Sequence, residues 1–326
     1  MPMTNDFTKA MPEHILQNIK EINLNISSEN CLLAINDLLQ RTVLVGGKRL
    51  RPLLTHLVAD LFGVDAKTVQ PYSRAVELVH AASLSHDDVI DNATMRRGAP
   101  SINIVASNKK AVLAGDTLLS TVIVDLCQAG NLDLVKEMSL VIRDLSEGEW
   151  IQADLIQTRN YTQELIREIA LKKTSSVMSY CCLAPAVLAE FSPEMLKVAK
   201  SFGESLGLAF QMIDDTLDYN EESMKDQLLD LQNGIVNTVI FHHLTSHQEL
   251  LDKFKEGSDL SSLISVDGLK PSIDFVKAEA HRELEKAHQD LNTLFDYLNN
   301  VKKKNLSPEA LLPLQTVISF IALRSI

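Results

Sequence analysis

The sequence predicts an all-α protein, built as one large helix bundle over residues 1–326. Glycine (12) and proline (10) are scarce, which leaves few turn residues to separate many short strands. Leu, Ala, Glu, Lys and Gln dominate long stretches, and these residue types favour helix. Aromatic residues make up only 5% of the chain, fewer than a sandwich or barrel of β-strands usually contains.

Helical periodicity extends along most of the chain. The clearest helix is predicted to begin at Ser192-Pro193-Glu194, where an N-cap residue is followed by proline at the first helical position. Its apolar residues recur at spacings of three and four, as one buried stripe of Met195, Ala199, Phe202, Leu206, Ala209, Ile213 and Leu217. A second helix is predicted to begin after Pro71 and to run past Asp88. The other predicted helices span 31–45, 49–62, 109–129, 132–157, 162–190, 233–256 and 272–299, with a loop at 257–272 and an irregular polar segment at 220–230.

Charge and cysteine content restrict the class of protein. The net charge of −12 has the opposite sign from that of a general nucleic-acid binder, so we expect no nucleic-acid partner. The four cysteines have the spacing of neither a zinc site nor a disulfide framework. No N-terminal apolar run suits a signal peptide, and no stretch of 18 apolar residues suits a membrane span. We therefore expect a soluble, cytoplasmic protein.

Two acidic clusters share one pattern, Asp87-Asp88-Val89-Ile90-Asp91 and Asp214-Asp215-Thr216-Leu217-Asp218. Residues four apart lie on the same face of a helix, where like charges repel each other. Two such pairs, each beside an apolar stripe, suggest a compensating cation. The carboxylate oxygens that dominate both clusters suit Mg²⁺. The alternative is that both clusters are solvated helix ends. Gln211, one turn before the second cluster, shares its acidic face.

Basic residues are concentrated at two other places. The segment GGKRLRP at 46–52 packs three cations into four residues, behind two glycines that let the backbone approach a ligand closely. Lysine and arginine both suit phosphate oxygens, although a basic loop is often merely solvated. Arg96-Arg97-Gly98 follows Asp91 by five residues, so these cations either pair with the acidic cluster or clasp the same metal-bound anion. His80 lies two helical turns before the first cluster, where it is either a core residue or part of a site.

These segments together resemble the trans-isoprenyl diphosphate synthases, or polyprenyl synthetases, over nearly the whole chain. The matching segments are GGKRLRP at 46–52, ELVHAASLSHDDVIDNATMRRGAPSIN at 77–103, VLAGDTLLS at 112–120, GEWIQ at 148–152, KTS at 173–175 and GLAFQMIDDTLDY at 207–219. The resemblance implies antiparallel helices around a deep central cavity, the isoprenoid synthase type, usually in a homodimer.

The resemblance also implies roles for the matching residues. The implied ligands of Mg²⁺ are Asp87, Asp91 and Asp214. The carboxylates implied to support that shell are Asp88, Asp215 and Asp218. The implied contacts to the allylic diphosphate are Arg96 and Lys173, beside a pocket lined by Gln211 and Gln152. The implied site for isopentenyl diphosphate consists of Lys48, Arg51, His80 and Arg97.

The implied reaction lengthens a prenyl chain. An allylic diphosphate loses pyrophosphate and leaves a carbocation, while Mg²⁺ and basic side chains neutralise the charge that grows on the leaving group. The alkene of isopentenyl diphosphate attacks, and the released pyrophosphate takes the proton, so no side-chain base is required. An apolar cavity keeps water away from the cation. A lipid product would also bring the protein into transient contact with a membrane.

The chain departs from the family pattern after Asp218. The family usually has a Gly-Lys pair, then Gly-x-Asp, then a second lysine before the next helix. Here Lys225 is the candidate for the first lysine and Asp230 for the aspartate, whereas Ile235 stands in place of the second lysine. Losing a charge-assisted phosphate contact weakens binding or slows ionisation. Because both aspartate clusters are intact, a working enzyme is still the prediction.

Small residues precede the first cluster at Ala81-Ala82-Ser83. In the family, bulky residues just before this cluster block the growing tail. Ala82 and Ser83 therefore predict a long-chain product of the octaprenyl type. The alternative is that small residues at these positions only permit close helix packing.

Three other functions each fit part of this sequence. A weakly active or regulatory subunit of a heteromeric synthase would explain the altered segment 220–238. A terpene cyclase shares the first acidic pattern, but normally carries an Asn/Asp-Ser/Thr-Glu motif in place of the second and lacks the basic cluster at 46–52. A purely structural helical protein would carry both acidic clusters by accident.

Overall fold

A computed structural model of the chain describes residues 7, 9–26, 33–47, 49–219, 231 and 234–323. The chain forms two compact units, one of Met1–Ile142 with Tyr180–Ser192 and one of Arg143–Ser179 with Pro193–Ile326. Over the described residues both units are helical apart from one two-stranded hairpin, which confirms the all-α prediction. The single domain over 1–326 stays a prediction.

The first unit carries six complete helices in its described part. These are α1 (Glu13–Lys20), α2 (Leu33–Arg41), α3 (Leu50–Phe62), α4 (Ala66–Ile90), α5 (Ile102–Val105) and α6 (Asn108–Ala129). A hairpin of β1 (Met95–Arg96) and β2 (Ala99–Pro100) separates α4 from α5. Its two turn residues, Arg97 and Gly98, have φ of 53° and 79°, the left-handed geometry that suits a two-residue hairpin turn.

The second unit carries the remaining complete helices of the described chain. These are α8 (Gln163–Ala170), α10 (Pro193–Leu217), α11 (Thr238–Ser246), α12 (Gln248–Lys255), α13 (Leu260–Leu263), α14 (Lys270–Asn300) and α15 (Leu312–Leu323). It also contains a π-helical turn at Leu171–Ser175 and 3₁₀ turns at Val266–Leu269 and Pro308–Leu311. Two further helices, α7 (Leu132–Thr158) and α9 (Ser176–Leu188), contribute residues to both units.

Helix α10 follows its predicted stripe closely. It begins at Pro193 as expected, and the central residues of the stripe are buried: Ala199, Phe202, Leu206, Ala209 and Ile213. It packs along α14 of the same unit, whose own buried residues recur at spacings of three and four. This packing fixes the C-terminal turn of α10, where the second acidic cluster lies.

Helix α4 begins at Ala66, so the prediction of a start after Pro71 was wrong. The Asp65 side chain accepts hydrogen bonds of 3.1 Å from the backbone N–H groups of Lys67 and Thr68. This cap satisfies two of the N–H groups that a helix start leaves unpaired. Pro71 therefore lies inside the helix, where it lacks one hydrogen-bond donor.

Three other segments differ from their predictions. The helix expected at 162–190 is interrupted by the π-helical turn. The helix expected at 233–256 begins later and is divided at His247, whose ψ of 87° is not helical. The loop expected at 257–272 holds α13 and a 3₁₀ turn. The C-terminal helix α15 and the hairpin were not predicted, because short or uniformly apolar segments show little periodicity.

Helix α6 also corrects an expectation about membrane spans. By length and composition it is apolar enough to cross a membrane. A third of its most apolar stretch is buried, and α6 packs against α4 of the same unit. The core helices of soluble proteins pass the same test, so this finding alone is weak support for a membrane span.

Candidate active site

The first acidic cluster lies at the C-terminal end of α4. The Asp91 N–H donates to the Asp87 carbonyl at 2.8 Å, which keeps these two residues one helical turn apart. Asp87 is half-buried and Asp91 is exposed, whereas the side chain of Asp88 has no exposed surface. The three carboxylates therefore do not share one environment.

Asp88 forms two hydrogen bonds inside the protein. Its Oδ1 accepts a hydrogen bond of 2.5 Å from Nε of Arg96, and its Oδ2 accepts one of 3.3 Å from the backbone N–H of Ile102. Arg96 belongs to the hairpin, and Ile102 is the first residue of α5. Asp88 thus holds both the hairpin and the start of α5 at the end of α4. The sequence left two alternatives for Arg96, which either pairs with the acidic cluster or clasps a metal-bound anion. The structure contains the pairing with the acidic cluster.

The two basic segments meet in the first unit. Nη1 of Arg97 donates to the carbonyl of Val45 at 3.0 Å, although these residues are 52 apart in the chain. A Cβ atom on Gly47 would lie 3.0 Å from the same Nη1, and Gly47 has a φ of 82°. Only glycine fits this conformation comfortably. The arginine at the hairpin turn therefore lies against Gly47 of the 46–52 cluster.

His80 and Glu77 lie in α4 close to these arginines. Burial lowers the pKa of His80 well below its ordinary value, and the charges of Arg51 and Arg97 lower it further. Burial raises the pKa of Glu77, while the arginines act in the opposite direction. His80 is therefore neutral at pH 7 and can serve a ligand as a hydrogen-bonding group. Glu77, one turn before His80, was not singled out in the sequence.

The second acidic cluster, at the end of α10, repeats the arrangement of the first. Asp214 and Asp218 are half-buried, and Asp215 is buried. Oδ1 of Asp215 accepts a hydrogen bond of 2.8 Å from Gln211, and Oδ2 accepts one of 3.0 Å from the backbone N–H of Thr238. Thr238 is the first residue of α11. In both clusters the second aspartate is directed inward and holds the start of a later helix.

Lys173 and the two predicted glutamines are connected through the π-helical turn. Nζ of Lys173 donates to a carboxylate oxygen of Glu149 and to Oε1 of Gln152, the latter at 3.2 Å. The hydroxyl of Thr174 donates to Oε1 of Gln211 at 2.6 Å. Two sets of polar contacts thus start from this turn, one at Lys173 with Gln152 and one at Thr174 with Gln211. Glu149 and Thr174 were not assigned a role from the sequence, although both belong to segments that carry the family likeness.

The acidic clusters suit a magnesium ion that is shared with a substrate. Among the described residues no group of three or more His, Cys, Asp or Glu side chains is arranged to hold a metal ion. Each cluster instead offers two carboxylates one turn apart, which lie nearer the surface than the middle one. Mg²⁺ usually keeps several waters and takes only one or two carboxylates, with substrate phosphates completing its shell. The donor set therefore fits Mg²⁺.

Several predicted positions fall outside the described residues or on the segment after Asp218. Lys48 and Lys225 lie outside the described residues, as does Asp230. Ile235 is described and is half-buried, three residues before α11. A hydrogen bond of 2.8 Å from Asn237 to the hydroxyl of Tyr219 links the two ends of this segment.

The predicted chain-length residues lie in α4, before the first cluster. Ala82 is fully buried, and Ser83 is half-buried with its hydroxyl donating to the carbonyl of His80 at 2.9 Å. Ser83 is four residues before Asp87 and hence on the same face of the helix. It is therefore the better placed of the two to face whatever the cluster binds.

Known proteins resemble this chain in sequence and in fold. The sequence model of the family described as polyprenyl synthetase matches residues 33–263. A prenyl transferase of Cyanidium caldarium is 32% identical over 313 residues, which cover 89% of this chain and 94% of that protein. An octaprenyl diphosphate synthase of Escherichia coli (strain K12) is 30% identical over 273 residues, covering 80% and 84%. The crystal structure of a polyprenyl synthase from Caulobacter crescentus CB15, complexed with calcium and isoprenyl diphosphate, has a TM-score of 0.81 at 24% identity and covers 97% of both chains.

Proposed function

The chain belongs to the polyprenyl synthetase family of trans-prenyltransferases, and we propose that it adds isopentenyl diphosphate head-to-tail to an allylic prenyl diphosphate. The observation that carries this proposal is the repeated acidic cluster. In each one a buried middle aspartate fixes the backbone, while two outer carboxylates remain nearer the surface. One such cluster is an ordinary helix end, but two of the same construction indicate a common ligand chemistry.

The outer carboxylates would hold divalent metal. Asp87, Asp91 and Asp214 are the proposed ligands, with Asp218 in support. The metal, Mg²⁺ by the chemistry of the donors, would neutralise the diphosphate that leaves the allylic substrate. The solved polyprenyl synthase of Caulobacter crescentus CB15 was complexed with calcium, which is also a hard divalent ion. Asp88 and Asp215 position the surrounding elements and would not bind metal themselves.

Lys173 and Arg96 are proposed to contact the allylic diphosphate. A guanidinium has five N–H donors in a rigid fork, so Arg96 can pair with Asp88 through Nε and still donate to a phosphate. This pairing also fixes the orientation of Arg96 before a substrate arrives. Gln152 and Gln211, which belong to the same unit as Lys173, would line the allylic pocket. Their hydrogen bonds to Lys173 and to Thr174 hold both amides in place.

Arg51, His80, Arg97 and Lys48 are proposed to bind isopentenyl diphosphate. The first three provide two cations and a neutral imidazole, because burial keeps the pKa of His80 low. Arginine suits diphosphate oxygens through paired N–H groups. The alkene of the bound substrate attacks the allylic carbon, and the released pyrophosphate takes the proton. These residues therefore bind and orient isopentenyl diphosphate, and none of them is required as a general base.

An elongation assay tests the proposal directly. Purified protein would receive Mg²⁺, isopentenyl diphosphate and an allylic primer, and products would be separated by chain length. We expect metal-dependent elongation to long-chain products, because the residues Ala81-Ala82-Ser83 before the first cluster are small. Asp87→Asn and Asp214→Asn should each lower kcat by at least about a hundredfold. Full activity in either variant would contradict the assignment of the clusters.

The same assay tests the chain-length residues. Ser83→Phe places a bulky ring one turn before Asp87, so the product distribution should shift to shorter chains. Ser139→Phe, at an exposed position in α7, serves as the control. An unchanged distribution in Ser83→Phe would mean that the small residues serve helix packing alone.

A second candidate function follows from Ile235. An apolar residue where the family carries lysine removes one cation from the leaving group, so this chain would be a weakly active subunit of a heteromeric synthase. Absence of elongation by the chain alone, with activity restored by a second subunit, would favour this candidate. An Ile235→Lys variant should then gain activity on its own.

The remaining proposals concern assembly and location. We propose a homodimer formed through α6, because Leu113 and Val124 expose 51% and 54% of their surface to solvent. They are 11 residues apart, close to three full turns, and therefore share one face. A cytoplasmic protein that contacts a membrane briefly through its lipid product is the proposed setting.

A further inference from the structure

Two consecutive lysines in the π-helical turn pair with different acidic groups. Lys172 donates to Glu147 at 2.6 Å and to Asp144 at 3.2 Å. Lys173 pairs instead with Glu149, and its ammonium also donates to Gln152. Each ammonium thus has its own carboxylates on α7.

The contact between α7 and the two lysines is close. A Cβ atom on Gly148 would lie 2.8 Å from Cγ of Lys173 and 3.0 Å from Cβ of Lys172. The glycine between the two acidic groups therefore lets both lysine stems lie directly on the helix. Lys173 and Glu149 expose only 27% and 19% of their side chains. Partial exclusion of water strengthens the pairing, so a ligand must compete with Glu149 for this ammonium.

We propose that Glu149 is a counter-ion that Lys173 exchanges for the allylic diphosphate and regains when pyrophosphate leaves. This inference rests on the proposed function, which assigns Lys173 to that diphosphate. A half-buried ammonium without a carboxylate would bind any diphosphate strongly, including the pyrophosphate product. Because Glu149 competes for the same charge, it weakens product binding and favours release. Gln152 keeps the ammonium in place during the exchange. Glu149 is therefore a positioning residue that acts on substrate and product through Lys173.

The test removes the charge of Glu149 and keeps its shape. Glu149→Gln retains a hydrogen-bond acceptor for Lys173 but no longer neutralises it. We expect calorimetry with inorganic pyrophosphate and Mg²⁺ to show binding about tenfold tighter than in the unaltered protein. Both kcat and the KM for the allylic diphosphate should fall, because release becomes slower. Glu147→Gln is the matched control, since Glu147 pairs with Lys172, and its pyrophosphate affinity should not change.

Two results of the pyrophosphate measurement would overturn the inference. Weaker pyrophosphate binding in Glu149→Gln would show that Glu149 only orients Lys173, and unchanged binding would show no competition. If Glu149→Gln does not fold, Gln152→Glu provides a reversed test, because a second carboxylate beside Lys173 should weaken pyrophosphate binding about tenfold. Unchanged affinity in that variant would also overturn the inference.

Lys173→Gln separates this inference from the proposed function. Loss of pyrophosphate affinity in Lys173→Gln, together with no change in Glu149→Gln, would overturn the counter-ion exchange alone. Unchanged affinity in Lys173→Gln would instead remove Lys173 from the diphosphate site, and the proposed function would lose this contact.

Discussion

Asp88 and Asp215 hold equivalent positions in the two acidic clusters. Each accepts the N–H of the first residue of a later helix and one side-chain donor. The spacing of four in the sequence predicts that the outer aspartates share a face, and a helix turns the intervening residue about 100° away. That rotation places the middle carboxylate on another side. Asp88 is contacted from the hairpin and Asp215 from the start of α11, and no local pattern predicts either contact.

Gly47 gives a prediction about the basic cluster. Gly47→Ala should raise the KM for isopentenyl diphosphate about tenfold, a loss of about 1.4 kcal/mol. The new Cβ would lie 3.0 Å from Nη1 of Arg97 and displace the guanidinium. Gly46→Ala is the control, because Gly46 also has a positive φ, of 73°, but its Cβ would meet no atom within 4 Å. Steady-state kinetics measure both variants. An equal rise in both would attribute the effect to backbone strain alone.

His56 gives a prediction about acid stability. It is buried in α3, and burial lowers its pKa from 6.5 to about 4. Below pH 6.5 the unfolded chain takes up a proton at His56 that the folded protein does not, so folding stability falls with pH until about pH 4. The loss amounts to about 3 kcal/mol.

Urea unfolding between pH 7.5 and pH 4.5 measures this effect. The variant His56→Leu should lose less stability over that range than the unaltered protein, because it has no imidazole to protonate. Nε2 of His56 has no hydrogen-bond partner among the described residues, so the substitution breaks no polar contact at that atom. Identical pH dependence in the two proteins would contradict the assignment of the effect to His56.

At the scale of elements, long amphipathic helices were predictable and interruptions were not. The start of α10 agrees with its Ser-Pro-Glu signal, and α6 and α7 agree with their predicted bounds to within one residue. The π-helical turn could not be predicted, because its residues continue the helical pattern on both sides. Its position depends on tertiary packing: a Cβ on Gly207 of α10 would lie 2.4 Å from Cα of Ser175. Such a close approach is visible only after folding.

The start of α11 gives a prediction at this scale. The side chain of Asn237 accepts from the N–H of Ile240, and Asp215 accepts from the N–H of Thr238. These bonds satisfy two of the donors that open a helix. Asp215→Ala should weaken this end of α11 by about 1 kcal/mol, which corresponds to roughly fivefold faster exchange of its amide hydrogens.

Hydrogen exchange followed by mass spectrometry tests this expectation on a peptide that covers Thr238–Ser246. Asp218→Ala is the control, because it removes an aspartate of the same cluster without removing the bond to Thr238. Equal exchange in the two variants would show that the Asn237 cap alone holds the helix start.

For the whole molecule, the sequence predicts the class of fold and the chemistry of the site well. It predicts the contacts between residues distant in the chain poorly. Composition and periodicity are properties of the entire chain, so they report the all-α class reliably. The aspartate and arginine clusters are short segments of the sequence, and their residue types alone indicate binding of a metal ion and of phosphate groups. The pairings of Lys173 with Glu149 and of Arg97 with Val45 join residues 24 and 52 positions apart. Such pairings are set by packing that single-sequence patterns do not encode.

Assembly of the whole molecule gives the last prediction. A face of α6 that exposes Leu113 and Val124 would be covered in a dimer, and the two side chains would contribute apolar area to the interface. Leu113→Glu places a charge in that area and should shift the protein from dimer to monomer in light scattering coupled to gel filtration. Ser261→Glu, which adds the same charge at an exposed position in α13, should leave the mass unchanged. A monomeric unaltered protein would contradict the proposed homodimer. A Leu113→Glu dimer as stable as the unaltered one would place the interface on another surface.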